Sequence, residues 1–222
     1  MNKRYDTLLF DLDGTLLDSK PGIELCFAYA MKRMNEAGHP VQLPEGFDFN
    51  TVIGPPLTHS FRQFTHSEEQ VVQAITFYRE LYFDTGWKMS DPFDGIRDAL
   101  TLLKDSGKRL LVATSKLEDL ARRTLEHHGI ARYFDVIAGA SKDDKRSSKQ
   151  DVIVRALELA GVESTDCVMI GDRLHDMEGA QQTGMDAIGV LWGYGSRQEL
   201  GGYQPILLAK TPAELCDYLL AQ

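Results

Sequence analysis

Long apolar runs are missing from this chain. None approaches the roughly 18 residues of a membrane span, so a spanning helix is not expected. The start, Met1-Asn2-Lys3-Arg4, has the charge of a secretory leader, but Asp11 and Asp13 interrupt the apolar stretch that should follow. Cysteine is scarce. Cys26, Cys167 and Cys216 are odd in number and widely spaced, which argues against a disulfide framework and against a zinc site. A reducing cytoplasm is the expected home. Positive charge is in deficit, with 24 Lys and Arg against 33 Asp and Glu and a formal net charge of −9. A nucleic acid polymer calls for a basic face, so no such partner is expected. A small phosphorylated metabolite remains open, because a local field outweighs net charge. Internal repeats and low-complexity segments are absent. Gly193-Tyr194-Gly195-Ser196 lacks both GxGxxG spacing and a following GK[ST], so it is not read as a phosphate loop. Trp87 and Trp192 carry no signal. The 222 residues suit one large domain or a core with a small module, as a monomer or small homo-oligomer.

What is present begins with Asp11-Leu12-Asp13-Gly14-Thr15, directly after the apolar run Thr7-Leu8-Leu9-Phe10. Such a run forms a buried parallel strand. Residues i and i+2 of a strand point the same way, so Asp11 and Asp13 are expected to project together. Two like charges held close call for a cation or a shared proton. Hard carboxylate oxygens suit Mg²⁺. An ordinary acidic cap between strand and loop is the plainer alternative.

From about residue 95 the pattern alternates. Strands are expected at 109–114, 135–138, 167–170, 187–190 and 206–208. Helices are expected at 95–106, 117–128, 149–160, 173–182 and from Pro212 to about Leu220. This predicts an α/β fold, a doubly wound parallel sheet. Residues 16–94 break the pattern. Ile23, Cys26, Phe27, Ala30, Met31 and Met34 recur at helical spacing, and 56–64 and 67–85 read as helices, with no strand among them. An all-helical insert over 16–94 is expected within a core of 1–15 and 95–222, hinged at Leu16–Lys20 and Ser90–Gly95.

Ligands of open α/β sheets bind beyond the carboxyl ends of the strands. The polar clusters fall there. Asp11 and Asp13 end the first strand, Thr114-Ser115-Lys116 the second and Gly171-Asp172 the fourth, while Lys149 opens the helix after the third. Lys116 reads as a rim residue and His175 as a surface or outer histidine.

On these residues the chain resembles the haloacid dehalogenase-like hydrolases. Phe10-Asp11-Leu12-Asp13-Gly14-Thr15-Leu16 is similar to their first motif, and Leu111-Val112-Ala113-Thr114 to their second. Lys149 before a helix resembles the third, with Gln150 where many relatives have proline. Ile170-Gly171-Asp172-Arg173-Leu174-His175-Asp176 resembles the fourth. The resemblance implies a Rossmann-like hydrolase core with a helical cap and a Mg²⁺-dependent phosphatase. Asp11 would be the nucleophile that forms an aspartyl-phosphate, and Asp13 the general acid and base. Asp11, Asp172, Asp176 and the Asp13 carbonyl would hold the metal. Thr114, Ser115 and Lys149 would bind the phosphoryl group. Length, cap, Ile53-Gly54-Pro55-Pro56 and Gly171-Asp172-Arg173 with Gly193-Tyr194-Gly195 look most like phosphoglycolate phosphatase-like proteins, some of which are 5′-nucleotidases. Gly54 and Arg62 are expected to touch the leaving group. A sugar-phosphate mutase, a dehalogenase and a phosphate-binding regulator stay as alternatives.

Overall fold

A computed structural model of the protein describes residues 4–143 and 145–221, so Met1, Asn2 and Lys3 of the leader-like start lie outside the described residues. The chain divides into two compact units, Met1–Asp18 with Asp91–Gln222, and Ser19–Ser90.

The first unit is built on strands β1 (Thr7–Phe10), β2 (Leu17–Asp18), β3 (Asp91–Pro92), β4 (Arg109–Leu117), β5 (Val136–Ala140), β6 (Cys167–Gly171), β7 (Asp186–Val190) and β8 (Leu207–Ala209). Six of them form one parallel sheet in the order β5-β4-β1-β6-β7-β8. The chain runs outward from β1 through β4 to β5, then crosses back and leaves on the other side through β6. The order therefore reverses at β1, and such a switch point opens a crevice at the carboxyl edge.

The second unit holds α1 (Lys20–Glu36), α2 (Leu57–Arg62) and α3 (Glu68–Asp84). Its centre is aromatic: Phe27 stacks on Phe61 at 4.4 Å, and Phe61 meets Tyr78 edge-on at 6.0 Å. Ser67 caps α3 by accepting from the Gln70 amide. The Gly22 amide donates to the Met89 carbonyl at 3.2 Å, joining the two ends of the unit.

The remaining helices belong to the first unit: α4 (Ile96–Asp105), α5 (Glu118–His127), α6 (Lys149–Ala160), α7 (Leu174–Gln182), α8 (Arg197–Gly201) and α9 (Pro212–Leu220). Strand alternation sorts its core into two layers. Leu8, Phe10, Leu110, Val112, Val168 and Ile170 pack with Ile96, Leu100 and Leu103 of α4 and with Leu215 and Leu219 of α9. Leu9, Leu111, Ala113 and Met169 pack on the other face with Val152, Ile153 and Ala156 of α6 and Ala180 of α7. Both faces of β1 are covered, which is why its sequence is continuously apolar.

The structure departs from expectation in three places. β2 and β3 pair antiparallel within 16–94, where no strand was expected, because two-residue strands show no periodicity. α8, five residues long, was missed for the same reason. β4 runs on to Leu117, past its apolar run.

Candidate active site

Parallel register brings the polar residues to one edge. Phe10 pairs with Val112 on one side and Ile170 on the other, so Asp11 and Asp172 emerge beyond the ends of β1 and β6, beside Thr114 in the last part of β4. The Asp11 amide donates to the Ile170 carbonyl at 2.9 Å, which seats Asp11 just past the ladder. Gly14 then turns the chain with φ of +89°, and a Cβ there would lie 2.3 Å from Asp172 Oδ2. Only glycine permits both the turn and that approach.

Asp11, Asp172 and Asp176 form one cluster, each offering an oxygen within 4.8 Å of the others, and all three are buried. Lys149, also buried, reaches into it from the first residue of α6, whose start is fixed by a Ser148–Asp151 capping box. Its Nζ lies 2.7 Å from Asp11 Oδ1 and 2.8 Å from Asp176 Oδ1, and donates to the Ala113 carbonyl at 3.1 Å. Asp176 is held at its other oxygen, which accepts from the Arg173 amide at 3.0 Å and so caps α7. Asp172 accepts from Thr15 Oγ1 at 3.1 Å and from the Tyr194 amide at 2.8 Å.

Three carboxylates against one ammonium leave two negative charges in a buried space. Burial and Asp176 push the Asp11 carboxyl up to about 6, against the pull of Lys149. Burial, then Asp176 and Asp11, hold Asp172 well above the usual carboxylate range. Burial works to lower Lys149, yet Asp11 and Asp176 together hold it above its ordinary value. Such a cluster takes up protons or a divalent cation. Asp11 Oδ1 and Asp176 Oδ1 are buried, and both face the Lys149 ammonium. All the donors are hard oxygens, so the residues fit Mg²⁺.

Thr114 is buried, and its hydroxyl accepts from the Lys116 amide at 3.3 Å. Ser115 beside it is half-buried. Asp13 accepts from Lys116 Nζ at 2.6 and 2.8 Å. Lys116 is thus no rim residue: its side chain is 5% exposed. His175 lies half-buried on α7, 3.7 Å from Glu178. Gly54 and Arg62 belong to the helical unit, where Arg62 is exposed and donates twice to Glu68 at 2.9 Å.

The segment Trp192–Gly195 entered the sequence reading only through the resemblance carried by Gly193-Tyr194-Gly195, with no structural role expected of it. It is not a phosphate loop but a brace. Trp192 Nε1 donates to the Thr15 carbonyl at 2.9 Å, the Tyr194 amide holds Asp172, and the Tyr194 hydroxyl donates to Asp18 Oδ1 at 2.8 Å. A Cβ on Gly193 would lie 2.2 Å from the Gly14 carbonyl oxygen. The two glycines around Tyr194 were the available signal.

The sequence model of the haloacid dehalogenase-like hydrolases matches residues 8–190, most of the chain, including Asp11, Thr114, Lys149, Asp172 and Asp176. This chain belongs to that family. Among its relatives, the tyrosine-protein kinase PtkA of Mycobacterium tuberculosis is 46% identical over 188 residues, 85% of this chain and 62% of the relative. This chain therefore spans less than two thirds of the length of that relative. A 5′-nucleotidase of Pseudomonas aeruginosa is 38% identical over 203 residues, 91% of this chain and 90% of the relative. The crystal structure of a predicted phosphatase from Clostridium acetobutylicum is 38% identical and superposes with a TM-score of 0.88, covering 99% of this chain and 100% of that chain. Among the described residues, no helix is long and apolar enough to cross a membrane.

Proposed function

We propose that the protein is a Mg²⁺-dependent phosphomonoesterase that works through an aspartyl-phosphate on Asp11. The observation that carries this reading is the buried cluster of Asp11, Asp172 and Asp176 with Lys149 2.7 Å from Asp11. An ionised carboxylate needs no separate base to become a nucleophile. An Asp11 oxygen bonds to phosphorus as the bond to the leaving oxygen breaks. Asp13 gives that oxygen a proton, then takes one from the water that hydrolyses the aspartyl-phosphate. Thr114, Ser115 and Lys149 bind and orient the phosphoryl oxygens, with Lys149 offsetting their charge. Asp11, Asp172, Asp176 and the Asp13 carbonyl would hold the ion, which when bound neutralises developing charge on the transferred group. The family and the relatives named as phosphatases support this reading.

The substrate is a small phosphomonoester. The 38% identical 5′-nucleotidase, matched over nearly its full length, puts nucleoside monophosphates first in a substrate panel. Phosphoglycolate follows, from the sequence resemblance. We assign substrate selection to the helical unit, with Gly54 and Arg62 as candidates. The three cysteines, buried free thiols, support a reducing cytoplasm.

A second reading rests on the 46% identity to PtkA. The same Asp11 phosphoenzyme would pass its phosphoryl group to a tyrosine hydroxyl instead of water. Acid-quench trapping separates the outcomes. Hydrolysis predicts a burst of p-nitrophenol, a phosphoenzyme lost in Asp11→Asn and inorganic phosphate as product, all abolished by EDTA. Transfer predicts phosphotyrosine formed from ATP. A wild-type enzyme that turns over with no trapped phosphoenzyme on Asp11 would sink both.

A further inference from the structure

The approach of Lys116 to Asp13 is built into the sheet. Ala113 of β4 pairs with Ala138 of β5, and Leu117 pairs with Ala140, so four steps of β4 run beside two steps of β5. Thr114, Ser115 and Lys116 sit in the resulting bulge. A bulge bends its strand and re-aims side chains, and bulges are frequent beside active sites. Gly139 makes room for this one. A Cβ there would lie 2.6 Å from the Lys116 carbonyl oxygen and 2.6 Å from the Glu118 Cα, both backbone atoms that cannot step aside. The bulge is secured at both ends. The Lys116 amide donates to Thr114 Oγ1, and Arg146 bridges the Gly139 carbonyl at 2.7 Å and Glu118 at 3.0 Å. Its product is a lysine whose side chain is 5% exposed and whose ammonium meets both oxygens of Asp13, at 2.6 and 2.8 Å.

We infer that Lys116 is the positioning residue for Asp13, holding its carboxylate in the orientation that proton transfer needs. Asp13 follows β1 on a turn and keeps about a fifth of its side chain exposed, and Lys116 engages both of its carboxylate oxygens. A contact to both oxygens fixes the carboxylate plane as well as its place. Proton transfer is sensitive to displacements of a fraction of an ångström, so losing this hold costs rate only where a proton must be delivered. The inference rests on the acid–base role of Asp13 proposed above.

The test compares wild type, Lys116→Met, Asp13→Asn and the double variant on p-nitrophenyl phosphate, phenyl phosphate and an alkyl phosphate. p-Nitrophenolate leaves with little protonation, whereas an alkoxide does not. Lys116→Met should lose at least about 30-fold in kcat on the alkyl ester and less than about 5-fold in the phosphorylation burst with p-nitrophenyl phosphate. Phosphoenzyme should persist longer in the variant. Added to Asp13→Asn, the same change should cost less than about twofold, because residues acting as a unit are not additive. Lys116→Arg should recover part of the alkyl-ester rate, and it serves as the working variant if the methionine substitution does not fold. An equal loss in kcat/KM, which reports phosphorylation, on all three esters, or losses that multiply with those of Asp13→Asn, would overturn the positioning role and leave the acid–base role of Asp13 intact. A flat profile in Asp13→Asn itself would instead remove that role, and this inference with it.

Discussion

Replacing Asp11 by asparagine should destroy activity and stabilise the metal-free protein. In the cluster of three carboxylates and one lysine, Asp11 is pushed from 3.8 to about 6, chiefly by burial. That rise corresponds to about 3 kcal/mol of preference for the protonated form. The sign follows from proton uptake. Between about pH 4 and 6 the native state keeps a proton that the unfolded state has released, so stability falls as pH rises through that range. Above about 6.5 the whole penalty is present. Asparagine has nearly the same shape and no charge, so Asp11→Asn avoids the penalty, less about 1–2 kcal/mol for burying an amide without full hydrogen bonding. The expected gain without metal at pH 7.5 is about 1–2 kcal/mol, or about 2–8 °C in Tm for a chain of this length. It should shrink steadily towards pH 4.5. Mg²⁺ should raise the wild-type Tm more than that of the variant, because it replaces the missing positive charge. Turnover should fall at least about a thousandfold. The assays are thermal melts from pH 4.5 to 8 in EDTA and in Mg²⁺, with p-nitrophenyl phosphate turnover. A metal-free variant less stable than wild type at pH 7.5 would refute the charge argument. Activity within tenfold of wild type would refute the nucleophile.

Lys149→Met leaves the cluster with three carboxylates and no ammonium; it should destabilise the metal-free protein by about 3–5 kcal/mol at pH 7.5 and by less near pH 5, read from urea melts. Asp172→Ala should abolish Mg²⁺ binding in calorimetry, whereas Asp176→Ala should weaken it less but also cost about 1 kcal/mol of stability through its lost cap on α7. Mn²⁺ should support turnover and Ca²⁺ should depress it, since the larger ion's looser coordination misplaces the attack; equal rates with all three would argue against metal-controlled geometry. Gly54→Val and Arg62→Ala should reorder kcat/KM across the substrate panel, and an unchanged ranking in both would move substrate selection to other residues of the helical unit.

Some of this was legible in one dimension. The continuous apolar runs at 7–10, 109–114 and 167–170 announce strands covered on both faces, because burial on both sides leaves no polar position. Once strands and helices alternate, handedness and the switch point force residues at strand ends to one edge. Asp11, Thr114 and Asp172 fall at that edge by their place after apolar runs, and Lys149 by the resemblance of its motif. What escaped was set by approach between distant segments. Residues 116 and 13 lie 103 positions apart, and no local pattern signals that a bulge will turn Lys116 inward. Nor could spacing show that Tyr194 braces Asp172, or that Glu68 engages Arg62. The sequence alone determined the fold class and the edge where the polar residues gather, since both follow from periodicity and chain connectivity. Tertiary structure decided which charges meet and how deeply they are buried. Those depend on distances that only the closed sheet sets.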